Sequence, residues 1–203
     1  MAVAVPQRVQ YRRGVALPAD VTYVGRPTPW GNPFPVTVRG AGRPRALAEV
    51  VTRFALYLEQ RPRLRETARQ ELTGRNLACW CSLRDPFCHA DVWLQETNPV
   101  ETAMARHRRA EYWMGMADVL GSMEPRLRAN AQRFAARWER ATFEVVSPSL
   151  PKTRGIIAVS ACSLLVKAGE HAAAREWAEA RLADENLPTE DRHNLTVLLK
   201  EAS

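Results

Sequence analysis

The sequence predicts an α/β protein: a small N-terminal α/β domain with parallel strands, followed by an all-α C-terminal extension. Three observations carry that expectation. Short β-branched runs alternate with amphipathic helical patterns between residues 20 and 98, strand patterns nearly vanish after Pro99, and helical periodicity then dominates to the end. At roughly 100–200 residues per domain, 203 residues make one or two domains, and the change of pattern favours two, 1–98 and 99–203.

Residues 21–24 (Val-Thr-Tyr-Val) read as a strand that opens into the segment from Gly25 to Phe34, Gly-Arg-Pro-Thr-Pro-Trp-Gly-Asn-Pro-Phe. Its three prolines and two glycines exclude helix and fix several backbone angles, so a stiff, ordered loop is expected, as suits a binding site. Residues 45–59 place Leu47, Val50, Val51, Phe54 and Leu58 at helical spacing, with Pro44 suited to the first turn. A second helix is expected over 62–72, stopped by Gly74, and the apolar run 76–81 suits a buried strand. Asp85 and Pro86 look like a cap and a first helical position, which predicts a helix over 86–97. Strand, helices, strand, helix makes the two strands parallel neighbours.

Beyond Pro99, helices are expected over 101–120, 124–141, 156–168, 170–186 and 189–202, with a linker near 147–151 and one strand-like stretch, 143–146. Leu127, Ala131, Phe134 and Trp138 form a core-facing seam. Arg126, Arg133, Arg137 and Arg140, preceded by Arg106, His107, Arg108 and Arg109, could track a phosphate backbone. Interleaved Glu124 and Glu139 favour a solvated, ion-paired face instead.

Net charge is +7, and residues 1–50 hold seven Arg against two acids, whereas residues 151–203 hold seven basic and eight acidic groups. A basic front favours nucleotides, nucleic acid or other polyanions, although 26 Arg beside three Lys also fits a general compositional bias. The longest apolar runs, such as 155–166, fall short of the roughly 18 residues that cross a bilayer, so no membrane partner is expected. Residues 1–6 are apolar only briefly and the basic pair Arg12 and Arg13 follows them, the wrong order for a secretory signal. Three of the four Cys crowd into residues 79–88, which suits a thiol or metal site in a reducing compartment; a cytoplasmic protein is expected.

In a strand, Cys79 and Cys81 would face one way and Trp80 the other. Cys88, in the first turn of the next helix, would have its thiolate favoured by the unpaired N–H groups there. Cys79, Cys81, Cys88 and His89 invite a zinc reading. Neighbouring helical residues diverge by about 100°, which sets Cys88 and His89 against sharing one ion. A three-thiolate site with an open position, metal-free chemistry by Cys88 and His89 with Asp91 as acid or base, and simple packing therefore all stay open. Cys162, on an apolar helix, reads as packing. In the loop, Trp30 could stack on a base, Arg26 could bind an anion and Asn32 could bond a base or sugar edge, with Gly25, Thr28 and Gly31 shaping the site. A nucleotide fits that set; so does a tight turn with no ligand.

At these residues the chain resembles an uncharacterised family of bacterial and phage proteins, marked by a Val-Gly-Arg-Pro-Thr-x-Trp-Gly-Asn-Pro-Phe loop and a later Leu-x-Cys-Trp-Cys…Cys-His-Ala-Asp motif. The two motifs stand here at residues 24–34 and 77–91, and the resemblance covers roughly 9–97. Phe87 separates Pro86 from Cys88, where the family has proline directly before that cysteine. The resemblance implies a site without naming a reaction.

The leading expectation is a nucleotide- or nucleic-acid-directed enzyme domain, modifying a glycosidic bond or a base, with a helical extension available to a protein partner. The alternatives are a non-catalytic nucleotide or nucleic-acid module whose cysteines are structural, holding zinc or buried, and an assembly or adaptor protein in a phage or defence setting. The first two require the loop and the cysteine cluster to meet at one mouth of the fold.

Overall fold

The structure, a computed structural model, describes residues 5–202; residues 1–4, part of the stretch weighed against a secretory signal, lie outside the described residues. The chain divides into two compact units, Met1–Pro99 and Val100–Ser203.

The first unit is built on a parallel three-stranded sheet of β1 (Arg8–Gln10), β2 (Val21–Tyr23) and β3 (Asn76–Cys79), in the order β1-β3-β2. The expected parallel pairing of the two recognisable strands is present, with Val21 opposite Asn76 and Tyr23 opposite Ala78. The third strand, Arg-Val-Gln, was not expected: three residues with one apolar side chain carry no periodicity, and only pairing with β3 makes them a strand. As the middle strand, β3 buries Leu77, Ala78 and Cys79. It stops at Cys79, two residues before the expected end. The carbonyls of Ala78 and Cys79 accept the last bonds, from Val24 N–H (2.9 Å) and Tyr11 N–H (2.8 Å). Helices α1 (Arg43–Glu59) and α2 (Pro62–Leu72) follow the expected pattern, α1 burying Leu47, Val51, Phe54 and Leu58.

Helix α3 (His89–Thr97) begins three residues later than Asp85 and Pro86 suggested. The Asp85 carboxylate does not cap it. Instead it accepts from Ser82 N–H (3.1 Å) and grips the Arg43 guanidinium through two bonds of 2.9 and 2.7 Å. Cys88 becomes the N-cap, with extended backbone (φ −149°, ψ 146°) and a sulfur that accepts from Ala90 N–H at 3.5 Å.

The second unit contains α4 (Ala103–Leu120), α5 (Pro125–Phe143), α6 (Pro151–Lys167), α7 (His171–Leu182) and α8 (Thr189–Glu201). Residues 143–146 are not a strand: they close α5, with Val145 and Val146 N–H both bonding the Thr142 carbonyl. Proline at the first helical position starts α6 at Pro151, so the segment read as a linker is the short turn between α5 and α6. Leu127, Ala131 and Phe134 are buried as the seam requires; Trp138 is half-buried, with the Arg109 guanidinium 4.6 Å from its ring centre. Glu139 is not on a solvated face. It is 1 % exposed and accepts from His107 and Ser160. Among the described residues, no helix is long and apolar enough to cross a membrane.

Candidate metal centre and cleft

Three elements of the first unit bring four side chains together. Strand β3 delivers Cys79 at its C-terminal end, the turn that follows carries Cys81, and the start of α3 supplies Cys88 and His89. The His89 Nε2 lies 2.8 Å from the Val24 carbonyl oxygen. A carbonyl can only accept, so Nε2 carries the proton and Nδ1 presents its lone pair. That lone pair faces two sulfurs, Cys79 Sγ at 3.8 Å and Cys88 Sγ at 3.9 Å. A tetrahedral ion with Zn–S of about 2.3 Å and Zn–N of about 2.0–2.1 Å holds sulfur and nitrogen about 3.6 Å apart. The observed separations are close to that edge, and the three ligand atoms all lie within 4.8 Å of one another.

The objection that Cys88 and His89 diverge falls with its premise. It assumed that both are helical, whereas Cys88 has the extended backbone of an N-cap and its side chain turns back beside the imidazole. Cys79, Cys88 and His89 can therefore hold a metal ion.

Cys81, partly exposed, shares hydrogen bonds with the other two thiols. Those bonds, first from Cys79 and then from Cys88, hold its pKa down to about 2. Its partners move the opposite way: the bond to Cys81 pushes Cys79 up to about 11, and the bond to Cys79 pushes Cys88 well above the usual thiol range. Burial lowers the pKa of His89 and keeps the ring neutral, the form that binds metals.

Above the cluster opens a cleft of about 220 Å³. Cys79, Cys81, Cys88 and His89 form its floor, Phe34, Leu47 and Val50 part of its wall, and Arg26, Arg43 and Trp80 lie along it as well. The unit around it holds 14 Arg against eight acidic residues.

The residues singled out from the sequence separate into two groups. Gly25, Arg26 and Asn32 line the cleft; Thr28, Trp30 and Gly31 do not. Trp30 is 7 % exposed, packs edge-on against Trp93 (centroids 5.7 Å apart), and accepts the Trp93 indole N–H on its carbonyl at 2.8 Å. It braces the loop and is not an open stacking surface. Thr28 donates to the Gly25 carbonyl (2.8 Å). Asn32 lines the cleft, yet its carboxamide is engaged by the Val50 carbonyl (3.1 Å) and the Phe34 N–H (2.8 Å). A Cβ at Gly31 would lie 2.8 Å from Arg26 Cγ and 2.9 Å from its backbone nitrogen, so close approach to Arg26 requires glycine there. Asp91 pairs with Arg8 of β1 at 3.0 Å and is not on the cleft lining.

Two residues on the cleft were missed. Trp80 was read only as facing away from the thiols; just past the end of β3 at Cys79, it is 53 % exposed and is one of the residues that line the cleft. Arg43 is part of an amphipathic helix, and nothing local distinguishes it; Asp85, 42 residues on, aims it.

These features define a small parallel α/β domain with a cysteine–histidine cluster at the C-terminal end of its middle strand. Residues 7–99 match the protein family described as a domain of unknown function, DUF4326, so the resemblance inferred from the two motifs holds over nearly the same residues. No curated protein and no solved structure matches the chain.

Proposed function

We propose that the first unit is a zinc-centred enzyme domain directed at nucleotides or nucleic acid, with modification of a glycosidic bond or a base as its reaction class. One observation carries the metal part: a buried imidazole whose Nε2 is committed to Val24 directs a bare Nδ1 at two sulfurs, at distances near the edges of a zinc tetrahedron. Soft sulfur donors with a neutral imidazole favour zinc over harder divalent ions. Zinc held by Cys79, Cys88 and His89 would supply Lewis-acid polarisation of a group bound in the cleft. The chain's own residues do the rest. Arg26 draws in phosphate, Phe34, Leu47 and Val50 exclude water beside the floor, and the Val24 carbonyl holds His89 in its metal-binding tautomer.

A second reading has its own support. The cleft lining includes no carboxylate to act as a general base, and Cys81 lies where it could be a fourth ligand. A closed four-ligand site is structural, which makes the domain a non-catalytic binding module.

The test is metal analysis of untagged full-length protein, then cobalt substitution and thiol counting on the same sample. One zinc per chain, lost in Cys88→Ser and in His89→Ala, is expected; protein free of metal with one fast-reacting thiol would overturn the zinc centre. Cobalt charge-transfer intensity that is unchanged in Cys81→Ser supports the open, catalytic site, and a drop by about a third supports the closed one.

A further inference from the structure

The mouth of the cleft carries two groups that the metal does not use. Trp80 leaves half of its surface to solvent directly beside the cysteine floor. It is not a loose surface side chain. Tyr11 meets it edge-on, with ring centres 4.7 Å apart and planes at 86°, and Tyr23 of β2 supports Tyr11 at 4.8 Å. An indole that is both anchored and exposed, on the edge of a concavity, is built to meet another flat apolar surface.

Arg26 is the second group. Of the two arginines that line the cleft, Arg43 is held by Asp85. Arg26 is exposed, lines the cleft, and forms no ion pair among the described residues. Its backbone is nonetheless fixed, because Gly31 packs against its stem and the Tyr23 hydroxyl donates to its carbonyl at 3.1 Å. A rigidly based guanidinium with nothing to neutralise it suits an incoming anion, and a planar fork suits phosphate in particular.

Size narrows the ligand. A cleft of about 220 Å³ is below the roughly 300–1,000 Å³ that encloses a whole drug-sized molecule. It can take one ring system and not a base pair, so a base must be unpaired to enter.

We propose that this mouth binds a single unpaired nucleotide, with its base stacked on Trp80 and its 5′-phosphate on Arg26. The proposal rests on the nucleotide-directed reading above, and it makes Trp80 and not Trp30 the stacking residue. The shared chemistry is a nucleobase carrying a phosphate, presented either by a free nucleoside monophosphate or by one residue of a single strand.

The experiment is fluorescence-anisotropy binding of full-length protein to a labelled ten-nucleotide mixed-sequence single strand. The matching duplex and unlabelled adenosine and thymidine 5′-monophosphates serve as competitors. Single strand is expected to bind at least tenfold more tightly than duplex at equal salt. Competition by the monophosphates at the same concentration as strand would assign the site to free nucleotides; competition by strand alone would assign it to single-stranded nucleic acid. Trp80→Ala should weaken binding roughly 5- to 150-fold, the range for losing one stacked base, and Trp80→Tyr should recover most of that loss. Arg26→Ala should flatten the salt dependence by about 0.7 in the log–log slope. Zinc content is measured on every variant, so that damage to the neighbouring cluster is seen separately. Wild-type protein that binds strand while Trp80→Ala, with its zinc intact, binds equally well overturns this inference alone. Wild-type protein that binds none of the probes overturns the nucleotide reading with it.

Discussion

Each unit sets a buried polar side chain against a histidine or makes the histidine itself the buried one, and the two clusters are built on opposite principles. In the second unit the Glu139 carboxylate, 1 % exposed, accepts from His107 Nδ1 at 3.2 Å and from the Ser160 hydroxyl at 3.1 Å. An acceptor meets two donors, and the group is satisfied by its own neighbours. In the first unit His89 donates through Nε2 to Val24, and its Nδ1 acceptor faces only sulfurs, at 3.8 and 3.9 Å. Thiols are weak donors, and the two that face that lone pair do so at distances longer than an ordinary hydrogen bond. Burial of polar groups is therefore not what marks a site. The mark is an excess of lone pairs converging on one point, which a cation resolves and protein donors do not.

Removing the cation is the strongest way to break that contrast. At free zinc a thousandfold above its Kd, binding adds about 4 kcal/mol to stability, and chelation removes it. Hydrogen exchange followed by mass spectrometry should then rise in β3 and α3 and stay unchanged in α5 and α6. Exchange that is indifferent to chelator would reduce the first cluster to packing. The reciprocal change is Glu139→Ala, which leaves His107 and Ser160 without their acceptor. It should cost about 1–3 kcal/mol in denaturant titration and leave zinc content untouched. A smaller effect is expected from Trp93→Phe, which loses the indole bond to the Trp30 carbonyl: about 1 kcal/mol, with metal retained.

Acid sharpens the same comparison in metal-free protein. Burial depresses the pKa of His89 below the 6.5 of the unfolded chain. Between those two values the unfolded chain binds a proton that the folded one refuses, so the contribution of His89 to stability falls as pH drops below about 6.5 and is flat above it. Denaturation of zinc-free protein from pH 7.5 to 5 should show the slope steepen below about 6.5, and His89→Asn should remove that added steepness; steepening that persists in the variant would place the proton elsewhere.

The helices were largely legible because their signals are local. Pro62–Leu72 begins and ends where its proline and the following Gly74 say it should, and the apolar spacing around Phe54 sets the buried side of α1. Local signals also misled. Asp85 and Pro86 have the form of a helix start, but a guanidinium 42 residues away claims the carboxylate, and the helix waits for Cys88. Glu139 has the form of a surface charge on an arginine-rich helix, and its partners on α4 and α6 draw it inside.

The sequence by itself determined the parallel pairing of β2 with β3, the division between an α/β unit and a helical one, the family resemblance of residues 7–99, and the cysteine-rich segment as the place to look. Tertiary structure alone decided which atoms meet: the imidazole of His89 with a carbonyl 65 residues earlier, the indole of Trp93 with one 63 residues earlier, and Trp80 instead of Trp30 at the cleft. Periodicity and turn chemistry act within a few residues along the chain. Ligand geometry is set by groups remote in sequence whose approach is fixed only once the sheet and helices have packed.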